Sequence, residues 1–129
     1  MSDLKAVAVF IEPFVRAAQL LPRTIDELES LLPFGYVAQQ GEKIVGFSSL
    51  EVYSKKLAEI RSLAVCPECR GRGIGKQLVA ACVERAREED VFEVMAITAN
   101  ENIFEACGFG FTLPGQKKAL FVQTRADHG

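Results

Sequence analysis

The chain has 129 residues, of which 49% are hydrophobic and 25% are charged, and its formal net charge at pH 7 is -2. This composition predicts a single soluble domain over residues 1–129 and excludes a disordered chain, while the acidic balance excludes the basic footprint of a nucleic-acid-binding protein. Charged residues interrupt the long apolar runs and the start lacks a signal-peptide pattern, so we expect a cytoplasmic protein with no membrane-spanning segment.

The first predicted elements are two helices. Apolar residues recur with helical spacing over residues 7–18, so AVAVFI is interpreted as helix rather than strand, and Pro13 is expected to kink or restart it. A second helix is predicted to begin with the capping-box pair Thr24 and Glu27. No obvious strand precedes this helical pair.

Three strands and a helical crossover follow. YVAQQ, KIVGFSSLEVY and LAEIRSLAV are β-rich and separated by short turns, which predicts an antiparallel meander. A helix over about residues 74–88 leads to VFEVMAI, predicted as a buried strand. ANENIFEACGF predicts a short helix closed by Gly108, and ALFVQTR a last strand. The order predicts an α/β fold with a mixed, mostly antiparallel sheet flanked by helices.

The four cysteines allow two interpretations. Cys66 and Cys69 form C-P-E-C, a spacing that suits a metal or a redox pair. A structural zinc site usually takes four ligands, whereas no second such pair exists and the only histidine is His128. We therefore predict four free thiols and no metal.

The segment CRGRGIGKQL, residues 69–78, concentrates glycine and positive charge between the third predicted strand and the next helix. A helix N-terminus exposes unpaired N–H groups and the positive end of its dipole, and glycine lets an anion approach the backbone closely. The segment therefore predicts a pyrophosphate cradle, and a glycine-rich turn with solvated cations is the alternative. Its spacing matches neither the P-loop nor the dinucleotide-binding fingerprint.

The run Arg70-Gly71-Arg72-Gly73-Ile74-Gly75 resembles the R/Q-x-x-G-x-G/A signature of the GNAT superfamily of acetyl-CoA-dependent N-acetyltransferases. LLPRT, AEIRSLAV and KKALFVQTR together resemble the acetyltransferase domain of N-acetylglutamate synthases, so the resemblance covers most of the chain. Unlike superfamily members in general, this sequence has a shortened N-terminus without an obvious first strand. The sheet edge left open in this way would suit a homodimer.

The resemblance implies transfer of an acetyl group from acetyl-CoA, as co-substrate, to the amine of a small molecule, most naturally an acidic amino acid such as glutamate. It implies that acetyl-CoA lies along the third predicted strand, where the backbone of Leu63, Ala64 and Val65 pairs with the pantetheine arm. The pyrophosphate is then expected on one loop, formed by Arg70, Gly71, Arg72, Gly73, Ile74, Gly75 and Lys76.

Glu59 is the candidate general base, since it matches the glutamate of the synthase-like pattern and lies in an otherwise apolar strand. Period two places it on the same face as Arg61 and Leu63, and a surface carboxylate paired with Arg61 is the alternative. Arg23 and Arg125 match arginines of the synthase-like pattern, which implies that they bind the two carboxylates of the acceptor.

One departure from the superfamily concerns the general acid. Many members carry a tyrosine where this chain has Phe104, which has no proton to donate. Two other functions therefore stay open: a non-catalytic module that binds acyl-CoA, and an acetyltransferase acting on a protein or polyamine amine.

Overall fold

In a computed structural model, the described residues are 2–17, 20, 22–98, 101–110 and 122. Their helices and strands are α1 (Ser2–Arg16), α2 (Ile25–Leu31), β1 (Gly35–Gln40), β2 (Lys43–Val52), β3 (Leu57–Val65), α3 (Ile74–Glu88), β4 (Glu93–Ala96) and α4 (Glu101–Ala106). None of the helices in these ranges has the length and apolar character needed to cross a membrane.

The strands form one sheet in the order β1-β2-β3-β4. β1 pairs antiparallel with β2, and β2 pairs antiparallel with β3, as the meander predicts. β4 lies parallel to β3, and α3 makes the connection between them. The predicted mixed α/β fold is therefore confirmed.

The sheet separates two apolar layers. On one face, Val7 and Ile11 of α1 and Leu28 of α2 pack against Phe47 of β2. On the other face, α3 and α4 cover a second cluster that contains Leu50 of β2. Because successive strand residues point to opposite faces, the alternation along β2 fixes which helices lie on which side.

The N-terminal helix contains AVAVFI, as predicted, but it runs through Pro13 without restarting. Proline removes only its own N–H, and the Pro13 side chain is exposed, so the ring displaces nothing in the core. The buried positions Val7, Ile11 and Phe14 keep one continuous apolar stripe against the protein. Tertiary packing of that stripe outweighs the missing bond.

The second helix begins with the predicted capping box. The Glu27 N–H donates to Thr24 Oγ1 at 3.1 Å, and the Thr24 N–H donates to Glu27 Oε1 at 2.8 Å. This reciprocal pair fixes the chain direction at Thr24 and with it the position of the preceding residue, Arg23.

The C-terminal elements agree with the prediction in part. α4 ends at Ala106, and Gly108 follows it with a φ of +94°, as expected for a glycine that closes a helix. The prediction of a buried strand over VFEVMAI is wrong at both ends, because Phe92 and Ile97 are 75% and 67% exposed. Within the described ranges, β4 pairs with β3 only over residues 93–96, so this pairing does not extend to the two exposed residues. The predicted last strand, ALFVQTR, lies outside the described residues.

All four cysteines are free thiols, as predicted. Three of them, Cys66, Cys69 and Cys82, are buried. Burial raises the pKa of the Cys82 thiol, which packs among apolar residues of α3 and contacts Ser48 Oγ at 3.3 Å. These thiols therefore serve the core as small apolar groups.

Candidate active site

The second half of β3 is irregular. Arg61 pairs with Ser49 and Ala64 pairs with Phe47, so Ser62 and Leu63 together oppose the single residue between those partners. Ser62 has a φ of +59°, which is uncommon for a residue with a side chain. This is a β-bulge, and it bends the strand where the alternation of side chains is interrupted.

The bulge corrects one sequence prediction. Leu63 packs against the cluster beneath α3 that includes Ile60, whereas Arg61 contacts Glu59. Leu63 is therefore not on the same face as Glu59, because the extra residue shifts the alternation by one position. Period two holds for Glu59 and Arg61, which precede the bulge.

Beyond the bulge, the β4-side edge of β3 is open. The parallel pairing joins residues 57–60 of β3 to residues 93–96 of β4 and stops there. From Arg61 to Val65 this edge has no strand partner among the described residues, while the opposite edge remains paired with β2. The backbone of Leu63, Ala64 and Val65 thus lies along a gap that can accept an extended ligand.

The gap leads to the glycine segment. Gly71 and Gly73 have φ values of +85° and +80°, which are accessible to glycine and strained for other residues. The first backbone bond of α3 runs from the Gln77 N–H to the Gly73 carbonyl, at 3.0 Å. In the described part of the chain, the amides of residues 71–76 have no acceptor, which is the state of a helix N-terminus poised for an anion.

Side chains of the segment divide into two groups. Ile74 packs into the protein, and Gly75 is buried so closely that an added Cβ would lie 3.2 Å from Ile103 Cδ1 of α4. Arg70, Arg72 and Lys76 are exposed, and within the described ranges they form no ion pair. Ile74 and Gly75 therefore anchor the segment, whereas the three cations are free to contact a ligand.

Four polar side chains lie together on the hairpin formed by β2 and β3, before the bulge. We call them the hairpin cluster: Glu51, Tyr53, Glu59 and Arg61. The Tyr53 hydroxyl donates to Glu59 Oε1 at 2.6 Å. Arg61 Nη1 lies 2.8 Å from Glu51 Oε1, 3.1 Å from the Tyr53 oxygen and 3.4 Å from Glu59 Oε1. Glu59 is only 8% exposed, so it is not a surface carboxylate, although it is paired with Arg61 as that alternative expected.

Tyr53 and Glu51 are members of this cluster that the sequence prediction missed. Their proximity to Glu59 follows from the β2–β3 register, in which Glu51 is paired with Glu59. The short SKK turn was a signal for that register, because a hairpin turn fixes which residues face each other. Partial burial, followed by the hydrogen bond to Glu59, raises the pKa of Tyr53, so its phenol keeps its proton at neutral pH.

Arg23, just before α2, lies on the same face of the sheet as the hairpin cluster. Its side chain is 12% exposed, and Nη1 lies 3.9 Å from Glu27 Oε2. Its Nε is buried without a hydrogen-bond acceptor among the described residues, which is a costly state for a guanidinium group. The Thr24 N–H holds the pKa of Glu27 below its ordinary value, and the charges of Arg23 and Arg61 add to this effect. Arg125 lies outside the described residues.

Phe104 belongs to the core. It is 6% exposed and meets Phe109 edge-on, with ring centroids 5.4 Å apart. The position that carries a tyrosine in many superfamily members therefore supplies packing here and no proton donor.

Comparison with known families gives a direct match. The profile described as the acetyltransferase (GNAT) family matches residues 6–109. This span begins inside α1 and ends just after α4, so it contains the bulge, the open edge, the glycine segment and the hairpin cluster.

Curated relatives agree with this match. The chain is 32% identical over 109 residues to an uncharacterized N-acetyltransferase of Chlorobaculum tepidum, covering 84% of this chain and 70% of the relative. It is 29% identical over 111 residues to an amino-acid acetyltransferase of Mycobacterium tuberculosis, covering 84% of this chain and 63% of that protein. A Mycobacterium tuberculosis protein solved in complex with CoA and a second ligand superposes with a TM-score of 0.75 at 29% identity, covering 87% and 69% of the two chains.

Proposed function

The chain belongs to the acetyltransferase (GNAT) family, and we propose that it moves the acetyl group of acetyl-CoA to the amine of an acidic amino acid such as glutamate. The observation that carries the proposal is the open edge of β3, which runs from the bulge into an N-terminus of α3 with free amides. The relative named amino-acid acetyltransferase supports an amino acid as the acceptor class.

Acetyl-CoA fits this arrangement in two parts. Its pantetheine arm is a chain of amides that can pair with the backbone of Leu63, Ala64 and Val65 as an added strand would. Its diphosphate can accept hydrogen bonds from the amides of residues 71–76 and lies at the positive end of the α3 dipole. Arg70, Arg72 and Lys76 add positive charge around this anion.

The chemistry needs one base. The acceptor's ammonium group must lose a proton before its nitrogen attacks the thioester carbonyl, and Glu59 is the carboxylate that we propose takes it. The attack forms the C–N bond and an oxyanion, which a backbone N–H near Val65 would stabilise. Collapse of the oxyanion breaks the C–S bond, the nitrogen loses its second proton as the amide forms, and that proton passes through water to the CoA thiolate.

The acceptor's carboxylates need positive charge on the same face. We propose that Arg23 binds one of them, because its buried Nε has a donor without a described partner and a carboxylate would satisfy it. Arg125 remains the proposed partner of the other carboxylate, on the resemblance alone. Two guanidinium groups would favour a dicarboxylic amino acid over a neutral one.

The test is a thiol-release assay with acetyl-CoA and four amines: glutamate, glutamine, spermidine and a peptide with a free N-terminus. We expect release with glutamate and at least tenfold lower kcat/KM with glutamine, since a lost charge-assisted contact is worth about 1.5–3 kcal/mol. Faster release with spermidine or the peptide would overturn the acceptor class. Thermal stabilisation by CoA without thiol release for any amine would show that the protein is a non-catalytic module that binds acyl-CoA.

A further inference from the structure

Tyr53 has no role in the proposed reaction, although it makes the shortest contact in the hairpin cluster. We propose that Tyr53 is a positioning residue: it holds Glu59 by one carboxylate oxygen and leaves the other oxygen to receive the acceptor's proton. This inference rests on the proposed role of Glu59 as the base.

The contacts of Glu59 are unevenly distributed over its two oxygens. The Tyr53 hydroxyl and Arg61 Nη1 both meet Oε1, at 2.6 and 3.4 Å. Among the described residues Oε2 has no hydrogen bond, so it is the oxygen that remains available for a proton. A carboxylate held by one oxygen is oriented without being blocked.

Tyr53 is itself fixed by the hairpin. Its backbone N–H donates to the Leu57 carbonyl at 3.0 Å, which closes the turn directly after β2. The hydroxyl lies 3.4 Å from Glu51 Oε1 as well, but its single hydrogen favours the shorter contact to Glu59. The phenol therefore points at Glu59 from an anchored backbone.

The charges around Glu59 make this hydrogen bond more important. On β2, Glu51 accepts a hydrogen bond from Arg61 at 2.8 Å, whereas the contact of Arg61 with Glu59 is longer, at 3.4 Å. On β4, the residue paired with Glu59 is the uncharged Met95. On α2, the charged residue is Glu27, which interacts with the positive charges of Arg23 and Arg61. Tyr53 thus makes the shortest hydrogen bond to Glu59 among the described residues.

The experiment compares Tyr53→Phe with Tyr36→Phe, since the chain has two tyrosines. Tyr36 is a suitable control because it packs on the opposite face of the sheet, against the cluster beneath α3. We expect Tyr53→Phe to lower kcat about tenfold, the loss of one charge-assisted hydrogen bond, with KM for acetyl-CoA unchanged. A merely structural role for Tyr53 would not produce this split between kcat and KM.

Tyr36→Phe should change neither kcat nor KM, and thermal unfolding reports whether both variants fold. If Tyr53→Phe keeps the wild-type kcat while Glu59→Gln is inactive, the positioning role is wrong and the base stands. If Glu59→Gln keeps full activity, the base is wrong and the positioning role falls with it.

A second measurement needs no turnover. Protein carrying Tyr36→Phe and labelled with 3-fluorotyrosine has a single fluorine, on Tyr53. Its resonance should change when Glu59→Gln is added at constant pH, because the Tyr53 hydroxyl then loses its carboxylate acceptor. A resonance that is the same with and without Glu59→Gln would overturn the contact as a functional one.

Discussion

The glycine segment and the hairpin cluster handle charge in opposite ways. The segment presents backbone amides without acceptors and exposed cations without ion pairs among the described residues. The cluster contains an almost buried carboxylate, Glu59, with its neighbours locked to it at 2.6–3.4 Å. One region is open to a large anion from solvent, whereas the other holds one small group in a fixed orientation.

This difference separates two tasks of an acetyl transfer. Binding a diphosphate needs many weak donors whose contributions add, so each one can be lost at small cost. Moving a proton needs one group at one place, so removing that group lowers turnover strongly. We therefore expect substitutions in the glycine segment to weaken cofactor binding in small steps, and substitutions in the hairpin cluster to lower turnover steeply.

The largest effect is expected for Glu59→Gln. Turnover should fall about 10²- to 10⁴-fold near neutral pH, because the ammonium proton has no acceptor, while KM for acetyl-CoA changes little. The loss should shrink as pH rises, since the acceptor amine then loses its proton to solvent. Steady-state kinetics over pH 6–10 measure both points, and Glu84→Gln, on the exposed side of α3, is the matched control. A loss confined to KM for acetyl-CoA would place Glu59 with the cofactor instead.

Arg23→Ala tests the acceptor side of the same face. It should raise KM for glutamate roughly 10- to 100-fold, the value of a lost charged hydrogen bond, and leave KM for acetyl-CoA unchanged. Arg16→Ala removes an exposed arginine of α1, paired with Glu12 at 3.4 Å, and should leave both constants unchanged. Equal increases for both substrates would mean that Arg23 supports the fold and not the acceptor.

Gly73→Ala tests whether the backbone of the segment does the binding. At a φ of +80° an alanine is strained by about 1–2 kcal/mol, so KM for acetyl-CoA should rise roughly tenfold with kcat nearly unchanged. Gly110→Ala is the control, because its backbone is unstrained and no atom lies within 4 Å of the added Cβ. Wild-type KM in Gly73→Ala would show that the amides are not the diphosphate contact.

The smallest effect is expected for a single cation. Arg72→Ala should raise KM for acetyl-CoA only about threefold, and the difference should fade at high salt because the side chain is exposed. Arg87→Ala, on α3 and paired with Glu84 at 3.0 Å, should have no effect. A salt-independent loss of the size expected for Glu59→Gln would contradict the division between the two regions.

The two regions also differ in how far the sequence predicted them. The glycine segment is contiguous, and its position between a strand and a helix was enough to predict free amides at residues 71–76. The helix of AVAVFI and the capping box at Thr24 were predicted for the same reason, since local spacing determines both.

The hairpin cluster was predicted only in part because it depends on pairing between strands. Tyr53 and Glu51 meet Glu59 through the register of β2 with β3, for which the SKK turn was a signal that the sequence prediction did not use. The bulge at Ser62 had no signal in the sequence, and it moved Leu63 to the other face. The exposed flanks of β4 likewise reflect how far the pairing with β3 extends, which apolar character alone does not determine.

A titration of ¹⁵N-labelled protein with CoA, followed amide by amide, tests the central claim most directly. If the open edge and the glycine segment bind the cofactor together, the amides of residues 63–65 and 71–76 shift along one saturation curve. Amides of β1, at the far side of the sheet, should stay unchanged. Saturation by CoA that leaves residues 63–65 and 71–76 unmoved would contradict the account.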